Sequence, residues 1–599
     1  MISYTIAMLQ PHTHLFEVSV RVEQQQGAQL DLILPAWTPG SYMIREYARH
    51  VQEFAAHDDA GATLVWQKTA KDTWRIDTSG ATTIVATYKV YAFELTVRTS
   101  HLDGSHGYFN GATIFMHVPG RTNEPLALDI LTPAGWQVAT GLELRDGGRE
   151  TVDGSGLTTV HRLSPTVHAY IAADYDELLD CPCECGTHRL LEFSVDDIPH
   201  RIAIWGRGNE DEARLIDDTR RIVETQRDFF GGLPYRHYTF IVHLTDGRGG
   251  GLEHRNSVSN MLDRWTFRPE RSYERYLSLT SHEFFHVWNV KRIRPAPLGP
   301  FDYRSENYTR MLWAMEGVTS YYDELLLVRA GQLRPERYLE KLADDIMTLQ
   351  GQPGRHVQSL EQSSFDTWIK FYRPDENSSN TAISYYLKGA LVALLFDMAI
   401  RQHTGGEASL DDVQRELFRR YPISGPGIPE EGAYIDVIEA VAGENHGALR
   451  QIYTRHIAAT EEINYDAAFA TVGLRLDWGQ RSQGADGSPP PWLGLKFKRQ
   501  GERTLVAEAR ADGPAYAAGV YADDELLAID GWRVNEEKLN ARLAERAVGD
   551  TVTLSLFRGD ALIALPVTLA VAPPNRLAIV PLEQPDERQQ RIYRDWMGI

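Results

Sequence analysis

The stretch Thr280-Ser-His-Glu-Phe-Phe-His-Val-Trp-Asn289 contains the pattern His-Glu-x-x-His, which predicts both a helix and a metal site. On a helix, His282 and His286 are about one turn apart and lie on the same face. Two imidazoles in this arrangement can bind one ion, and Glu283 lies beside them, where it can act on a metal-bound water. We expect Thr280 or Ser281 to cap this helix at its N-terminus.

A catalytic zinc site needs a third protein ligand and an open fourth position. The candidate is Glu316, which lies in the apolar, helical stretch Met311-Leu-Trp-Ala-Met-Glu-Gly-Val-Thr-Ser-Tyr-Tyr322. A lone carboxylate in such surroundings is costly unless it is paired or bound to a metal. The alternative is a structural Glu316 that is paired with an arginine.

Length and charge limit the remaining possibilities. A chain of 599 residues is too long for one hydrophobic core, so several domains are expected. The formal net charge of −21 disfavours nucleic acid or an anionic membrane as the main partner. Because neither a secretory leader nor a run of about 18 apolar residues is seen, we expect a cytoplasmic location, or a periplasmic one if a leader was removed.

Cys181, Cys183 and Cys185 are the three cysteines of the chain. An odd number in so long a chain does not indicate a disulfide framework. Their spacing also differs from the usual Cys-x-x-Cys of zinc sites, so reduced thiols in a turn between strands are expected, with a soft-metal site as the alternative.

Residues 1–175 are predicted to form a β-sandwich-like domain, because short alternating runs such as Leu15-Phe-Glu-Val-Ser-Val-Arg-Val22 recur between turn residues. Within it, the aromatic segment Trp37-Thr-Pro-Gly-Ser-Tyr-Met-Ile-Arg-Glu-Tyr47 either lines a binding cleft or packs at a domain junction. Residues 176–400 are predicted to be the catalytic domain, with a helix from Asp211 to Phe230 followed by a strand that begins at Tyr238.

That strand leads into the glycine-rich run Asp246-Gly-Arg-Gly-Gly-Gly-Leu-Glu-His254. Such a run is either a flexible turn or a place where the backbone comes close to another group. An aminopeptidase must bind a protonated amine about one residue from the metal, and Glu253 can supply the opposite charge. The strand itself can pair with the substrate backbone. An endopeptidase, in contrast, would leave this side open.

The segment Ser384-Tyr-Tyr-Leu-Lys-Gly389 begins a strongly apolar helix. Peptide hydrolysis produces an oxyanion that needs a hydrogen-bond donor, and a tyrosine hydroxyl is a suitable one. Tyr385 or Tyr386 can take this role, or either can belong to the core, and periodicity alone does not choose between them.

Residues 401–480 are predicted to be a helical subdomain, and a linker rich in Gly, Ser and Pro is expected from Gly479 to Pro491. Residues 492–573 are predicted to form a PDZ domain, followed by a C-terminal tail over 574–599 that either docks or stays mobile.

The predicted PDZ loop, Trp492-Leu-Gly-Leu-Lys-Phe497, resembles the carboxylate-binding loop of PDZ domains, with Trp492 in place of the first glycine. The amides of Leu493, Gly494 and Leu495 would receive a peptide C-terminus, with Leu539 and Leu543 lining the groove. The alternative is a PDZ-shaped spacer that only orients or shields the active site.

Four segments of the chain resemble the glycyl aminopeptidase family, metallopeptidase family sixty-one, whose members are gluzincin zinc peptidases that often carry a PDZ domain. The segments are Trp37-Thr-Pro-Gly-Ser-Tyr42, Gly251-Leu-Glu-His254, His286-Val-Trp-Asn-Val-Lys-Arg-Ile-Arg-Pro295 and Glu316-Gly-Val-Thr-Ser-Tyr-Tyr-Asp323. The resemblance covers nearly the whole chain. It implies a multidomain α+β protein with a β-rich N-terminal domain, a thermolysin-like zinc peptidase domain with a helical extension, and a C-terminal PDZ domain.

The resemblance also implies an activity: removal of N-terminal residues, preferably Gly or Ala, from peptides with a free N-terminus. It implies one Zn²⁺ per chain, bound by His282, His286 and Glu316, with Glu283 as the general base. Glu316 lies 30 residues after His286, which is further than in the larger gluzincin aminopeptidases, so an insertion separates the two helices.

Two further roles follow from those larger relatives. Gly251-Leu-Glu-His254 is similar to their Gly-x-Met-Glu-Asn element, which assigns the substrate's amine to Glu253 and makes Gly251 and His254 its neighbours in the substrate site. His254 stands where asparagine is usual. Tyr386-Leu-Lys-Gly389 is similar to their Tyr-x-Lys-Gly, which favours Tyr386 over Tyr385 as the oxyanion donor.

Two other functions remain open at this point: a zinc endopeptidase, and a binding scaffold in which the PDZ and β-rich domains hold partners and the metal is structural or absent. The combination of His282, His286 and Glu316 with Glu283 favours catalysis, because a structural metal site has no use for a general base.

Overall fold

The computed structural model describes residues 1–151, 166–443, 447–480 and 489–599. Most of the linker predicted from Gly479 to Pro491 therefore lies outside the described residues. The chain divides into two compact units. The first comprises Met1–Tyr308, Tyr322–Leu333 and Leu417–Pro429, and the second Thr309–Tyr321, Arg334–Glu416 and Glu430–Ile599.

The first unit opens with a β-rich region. Burial alternates along Leu15–Val22, the strand predicted from its apolar–polar alternation, because successive side chains point to opposite faces of a sheet. Among the described residues its large sheet has the order Glu143–Thr151, Thr166–Ala172, Leu126–Thr132, Ile2–Ala7, Leu15–Val22, Ile84–Tyr91, Val51–Asp58. Two smaller sheets have the orders Gln29–Ile33, Thr73–Asp77, Trp66–Ala70, and Gln137–Thr140, Cys183–Gly186, His106–Phe109, His101–Leu102.

A mixed sheet forms the second layer of this unit. Its central strand, Tyr238–Thr245, is buried along its whole length, as expected for a strand covered on both faces, and it confirms the strand predicted from Tyr238. The glycine-rich run ends in the edge strand Gly250–Glu253, which pairs antiparallel with its neighbour. The order is Arg189–Val195, Ile198–Trp205, Tyr238–Thr245, Ser257–Asp263, Gly250–Glu253.

Two long helices pack beside this sheet. The helix Glu212–Phe230 is capped by Asp211 and ends at Gly231 with φ of 82°, which confirms the predicted helix. The helix Glu270–Phe285, called here the histidine helix, starts after Pro269. The prediction that Thr280 or Ser281 caps it is wrong, because both are buried in its C-terminal half. The helical spacing of tyrosines and leucine in the preceding ten residues extends the helix further back than the motif alone indicates.

The second unit contains the π-helical turn Trp313–Gly317, which continues into the helix Val318–Arg329, where the unit boundary falls. Residues 378–404 are long and apolar enough to cross a membrane. However, 72% of the 18-residue window that meets this test is buried inside the protein, as is usual for a core helix. The remaining main helices are Pro335–Gln350, Leu360–Phe365, Tyr385–Thr404, Leu410–Arg420, Ala433–Ala442, Gly447–Ile452 and Tyr465–Thr471.

A small antiparallel sheet follows at the C-terminal end and has its own hydrophobic core. It carries the short helices Pro514–Ala517 and Glu536–Leu543. Its strands are Leu495–Gln500, Arg503–Ala509, Glu525–Ile529, Trp532–Arg533, Thr551–Arg558 and Ala561–Thr568. The tail forms the strand Arg576–Pro581 and the helix Glu587–Met597, which docks through a buried Trp596 whose indole donates to the Tyr321 hydroxyl at 2.9 Å. The tail is therefore docked, which was one of its two predicted states.

The three cysteines are free and buried, as expected for reduced thiols. Cys183 and Cys185 lie in the strand Cys183–Gly186 rather than in a turn, so that part of the prediction is wrong. Burial raises the pKa of the Cys183 thiol to about 12, which keeps it protonated.

Candidate active site

His282 and His286 face each other at the end of the histidine helix, with their Nε2 atoms 3.1 Å apart. The Nδ1 atom of each ring lies close to a hydrogen-bond acceptor. The Asp323 carboxylate lies 3.1 Å from Nδ1 of His282, and the main-chain oxygen of Asn289 lies 2.6 Å from Nδ1 of His286. Because both partners can only accept, each Nδ1 carries the proton and each Nε2 of the neutral ring presents a lone pair.

This arrangement fits a metal ion. Two lone pairs at 3.1 Å repel each other unless a cation lies between them. A metal-binding histidine usually donates its other ring N–H to a carboxylate or a carbonyl. Here the acceptor is a carboxylate for His282 and a main-chain carbonyl for His286. Asp323, which belongs to the predicted family segment, and Asn289, which acts through its backbone, were not recognised from the sequence.

Glu283 is buried on the same helix, directly beside the edge strand Gly250–Glu253. A Cβ atom at Gly251 would lie only 1.8 Å from Oε1 of Glu283, so no residue other than glycine fits there without a shift of one partner. The glycine thus lets the backbone of the strand approach the carboxylate. The predicted substrate-pairing strand therefore runs alongside the predicted base.

Glu253 ends the same strand and is only 4% exposed. Ligand atoms of Glu253, Glu283 and His286 all lie within 4.8 Å of one another. Its Oε1 atom has no hydrogen-bond partner among the described residues, and the nearest cation, Nζ of Lys291, is 3.9 Å away. Leaving a buried carboxylate oxygen without a donor costs free energy that an incoming N–H group would recover.

Two charged neighbours of Glu253 were missed by sequence reasoning. Lys291 lies in a family segment, which was a usable signal, but its partner Asp180 is 111 positions away in the chain. His254, predicted to lie in the substrate site, is buried, with its Nδ1 3.3 Å from Asp180.

The aromatic side chains of segment 37–47 are packed in the interior, which agrees with the second of its two predicted alternatives. Trp37 and Tyr42 are buried, and the Trp37 indole donates to the main-chain oxygen of Asp302 at 2.8 Å, as in a packed junction. Gly40, between them, lies beside the Glu253 carboxylate, because a Cβ atom there would be 2.6 Å from Oε1.

Glu316 lies in the π-helical turn and is 2% exposed. π-helical turns occur frequently at functional sites. Asp323, the partner of His282, is seven residues further along the same continuous helix, about two turns away and on the same face. The next residue, Gly317, packs on Gly389 so closely that a Cβ atom would lie 2.5 Å from the Gly389 Cα. Glycines of two sequence motifs thus hold two helices of the second unit together.

Tyr385 and Tyr386 differ in burial. Tyr385 is fully buried, and its hydroxyl accepts from Thr367 Oγ1 at 3.0 Å. Tyr386 is partly exposed and stacks on Phe371 with 5.5 Å between ring centroids. Of the two, Tyr386 is therefore the one whose side chain reaches the surface of this unit.

The predicted PDZ loop is covered by its own side chains. Gly494 adopts a φ of 78°, and a Cβ atom there would lie 3.3 Å from the Trp492 ring. The Arg510 guanidinium is in turn 5.1 Å from the centroid of that ring. Leu539 and Leu543, predicted to line a groove, are buried in the core of this domain, because they occupy its side of the short helix.

Three family models match the chain: the Peptidase M61 N-terminal domain over residues 3–187, M61 glycyl aminopeptidase over residues 275–392, and the PDZ domain over residues 491–569. The structure is similar to that of an aminopeptidase N family protein from Idiomarina loihiensis, with 30% identity, a TM-score of 0.88 and coverage of 100% of both chains. It is also similar to an M1 zinc metallopeptidase from Deinococcus radiodurans bound to a Tyr-Ser-Ala substrate, with 15% identity, a TM-score of 0.46 and coverage of 77% of this chain and 94% of that one. Among curated proteins, none matches.

The fold, with its β-rich, peptidase and PDZ parts, and the paired histidines define an enzyme of the metallo-aminopeptidase class. More specifically, the chain belongs to the M61 glycyl aminopeptidase family. The predicted family and fold class are thereby confirmed. The alternative of a binding scaffold without enzymatic activity is not supported.

Proposed function

We propose that this protein removes single N-terminal residues, preferably Gly or Ala, from peptides with a free N-terminus, and that it does so with zinc. The observation that carries the proposal is the buried Oε1 atom of Glu253, which lacks a hydrogen-bond partner among the described residues. It belongs to the same compact group as Glu283 and His286, where a substrate ammonium group would lie one residue from the reacting carbonyl. A preference for small first residues is supported by Gly40 and Leu252, which leave little space around this carboxylate.

One zinc ion per chain would be bound by His282, His286 and Glu316. Support comes from the facing Nε2 atoms of the two histidines, which are 3.1 Å apart, and from the match of the segment that contains Glu316 to M61 glycyl aminopeptidase. When bound, zinc supplies a Lewis acid at the scissile carbonyl and makes a water molecule acidic enough to react near neutral pH.

The chain's own residues would complete the reaction. Glu283 accepts the proton of the attacking water and returns it to the leaving amine. Glu253 accepts hydrogen bonds from the substrate ammonium group and so fixes which peptide bond is cut. Tyr386 donates a hydrogen bond from its hydroxyl group to the oxyanion that develops on the carbonyl, where a charge-assisted hydrogen bond is stronger than a neutral one.

A substrate panel separates this proposal from the endopeptidase alternative. We expect Gly- and Ala-anilides to be hydrolysed, their N-acetylated forms to resist, and a chelator to abolish turnover until zinc is restored. Equal rates on blocked and free substrates would support an endopeptidase and remove Glu253 from its role. Full activity after metal removal, checked by elemental analysis, would contradict the metal assignment.

The oxyanion donor can be tested with a pair of neighbouring tyrosines. Tyr386→Phe is expected to lower kcat by about 10²–10³-fold, because it removes one donor to the developing charge. Tyr385→Phe removes the contact with Thr367 and serves as the matched control, with kcat close to that of the parent protein. Similar losses in the two variants, measured as kcat on Ala-anilide, would argue against the assignment of Tyr386.

A further inference from the structure

A buried ion pair lies behind the Glu253 carboxylate. Nζ of Lys291 is 2.9 Å from Oδ1 of Asp180, and Asp180 also accepts from the main-chain N–H of Arg255 at 2.8 Å. Burial alone would raise the pKa of Asp180, but Lys291 and His254 hold it well below its usual range. Burial likewise opposes the charge of Lys291, yet the carboxylates of Asp180 and Glu253 more than offset it and raise its pKa. Both members of the pair are therefore charged at neutral pH.

Lys291 lies near the Glu253 carboxylate but does not form a hydrogen bond with its Oε1 atom. The distance of 3.9 Å between Nζ and Oε1 is within the range of an ion pair but beyond that of a hydrogen bond. The ammonium group therefore offsets the cost of a buried carboxylate and leaves the Oε1 lone pairs available. Because Asp180 holds Lys291 at this distance, the lysine does not take the place of a substrate amine.

Gly40 lies against the Glu253 carboxylate on another side. It adopts a φ of 86°, in the left-handed region that favours glycine. A Cβ atom there would lie 2.6 Å from Oε1 and 2.8 Å from Oε2 of Glu253. The loop backbone therefore restricts both oxygens, and a side chain at this position would displace them.

A small cavity borders the ion pair. This cavity of about 70 Å³, bounded by Pro39, Asp180, His254 and Lys291 among others, holds about two water molecules. Glu253 forms one compact group with Glu283 and His286, so a substrate amine bound to it would lie beside these two residues.

We propose that Asp180, Lys291 and Gly40 are positioning residues that hold the Glu253 side chain, with one oxygen left without a donor, for the substrate's ammonium group. This inference rests on the proposed role of Glu253 as amine anchor. Asp180 and Gly40 lie in the segment that matches the M61 N-terminal domain, and Lys291 in the segment that matches M61 glycyl aminopeptidase. The N-terminal domain would accordingly take part in recognising the free amine.

The test compares Lys291→Met with the parent protein on Gly-anilide. We expect KM to rise about 2- to 150-fold, the usual range of coupling between residues of one network, while kcat and zinc content stay nearly constant. Lys291→Arg should restore part of the loss, because it keeps the charge. The control is Lys89→Met, which removes a surface ion pair with Glu53 and should change neither constant. An unchanged KM in Lys291→Met would overturn the proposal.

A double-mutant comparison separates this inference from the proposed function. In a Glu253→Gln background, Lys291→Met should have no further effect on KM; an effect as large as in the parent protein would overturn the positioning role. If Glu253→Gln alone leaves turnover of free-amine substrates unchanged, the amine anchor itself is wrong, which is a different result. If Lys291→Met does not fold, Gly40→Ala provides the same comparison, because it leaves the charges in place. An unchanged KM in Gly40→Ala would then count against the proposal.

Discussion

Replacing Glu283 by Gln is expected to lower kcat by about 10²–10⁴-fold, the usual contribution of a general base, while the protein keeps its metal. The amide has nearly the same shape as the carboxylate, so the close contact with Gly251 is retained. It cannot accept a proton from water, however, and so cannot deliver one to the leaving amine. The two histidines, with their outer contacts to Asp323 and Asn289, are untouched by the change.

The measurement pairs kcat on Ala-anilide with elemental analysis of the purified variant. Glu274→Gln is a matched control, because Glu274 lies nine residues earlier on the same helix and away from the histidine pair. The control should keep both turnover and metal. A Glu283→Gln protein that retains turnover would refute the base assignment, whereas loss of the metal together with activity would indicate that Glu283 supports binding of the ion instead.

The facing histidines are the part of the candidate site that the sequence predicts best, because their placement depends on local helical spacing. The spacing of His282 and His286 determines their shared face, and the apolar surroundings of Glu316 single out its carboxylate. The start of the histidine helix was predicted less well. A helix boundary depends on which earlier residues find partners in the core, and here buried Tyr273 and Tyr276 extend the helix back to Pro269.

The surroundings of Glu253 could not be predicted, because they are assembled from distant parts of the chain. Asp180 and Lys291 are 111 positions apart, and no periodicity or spacing relates them. Gly40 stood out only as part of an aromatic segment with two equally good interpretations. Asn289 acts through its main-chain oxygen, which any residue type could provide. Such contacts follow from tertiary packing and are visible only in the folded structure.

The choice between Tyr385 and Tyr386 illustrates an intermediate case. Both begin the same helix, and adjacent residues on a helix point in directions about 100° apart, so only one can face a given surface. Sequence alone leaves the rotation of the helix undetermined. The contact between Gly317 and Gly389 fixes that rotation within the second unit and places Tyr385 in the interior.

Replacing Glu253 by Gln is expected to remove most of the advantage of a free N-terminus. A hydrogen bond to a charged group contributes about 1.5–3 kcal/mol, so kcat/KM on Gly-anilide should fall about 10- to 150-fold. Slow hydrolysis of N-acetylated Gly-anilide should stay the same, because that substrate has no ammonium group to lose. The ratio of the two kcat/KM values therefore reports on the anchor independently of the general activity of the preparation.

The control residue for this prediction, Glu192, lies on the edge strand opposite to the one that contains Glu253. The Glu192 side chain is 62% exposed and pairs with Arg201 on the neighbouring strand, so Glu192→Gln changes the charge equally without touching the site. It should leave the free-to-blocked ratio unchanged. If Glu253→Gln lowered both substrates equally, Glu253 would be supporting Glu283 or His286, its close neighbours, rather than binding the amine. A fall confined to the free-amine substrate is expected only if the carboxylate contacts that ammonium group directly.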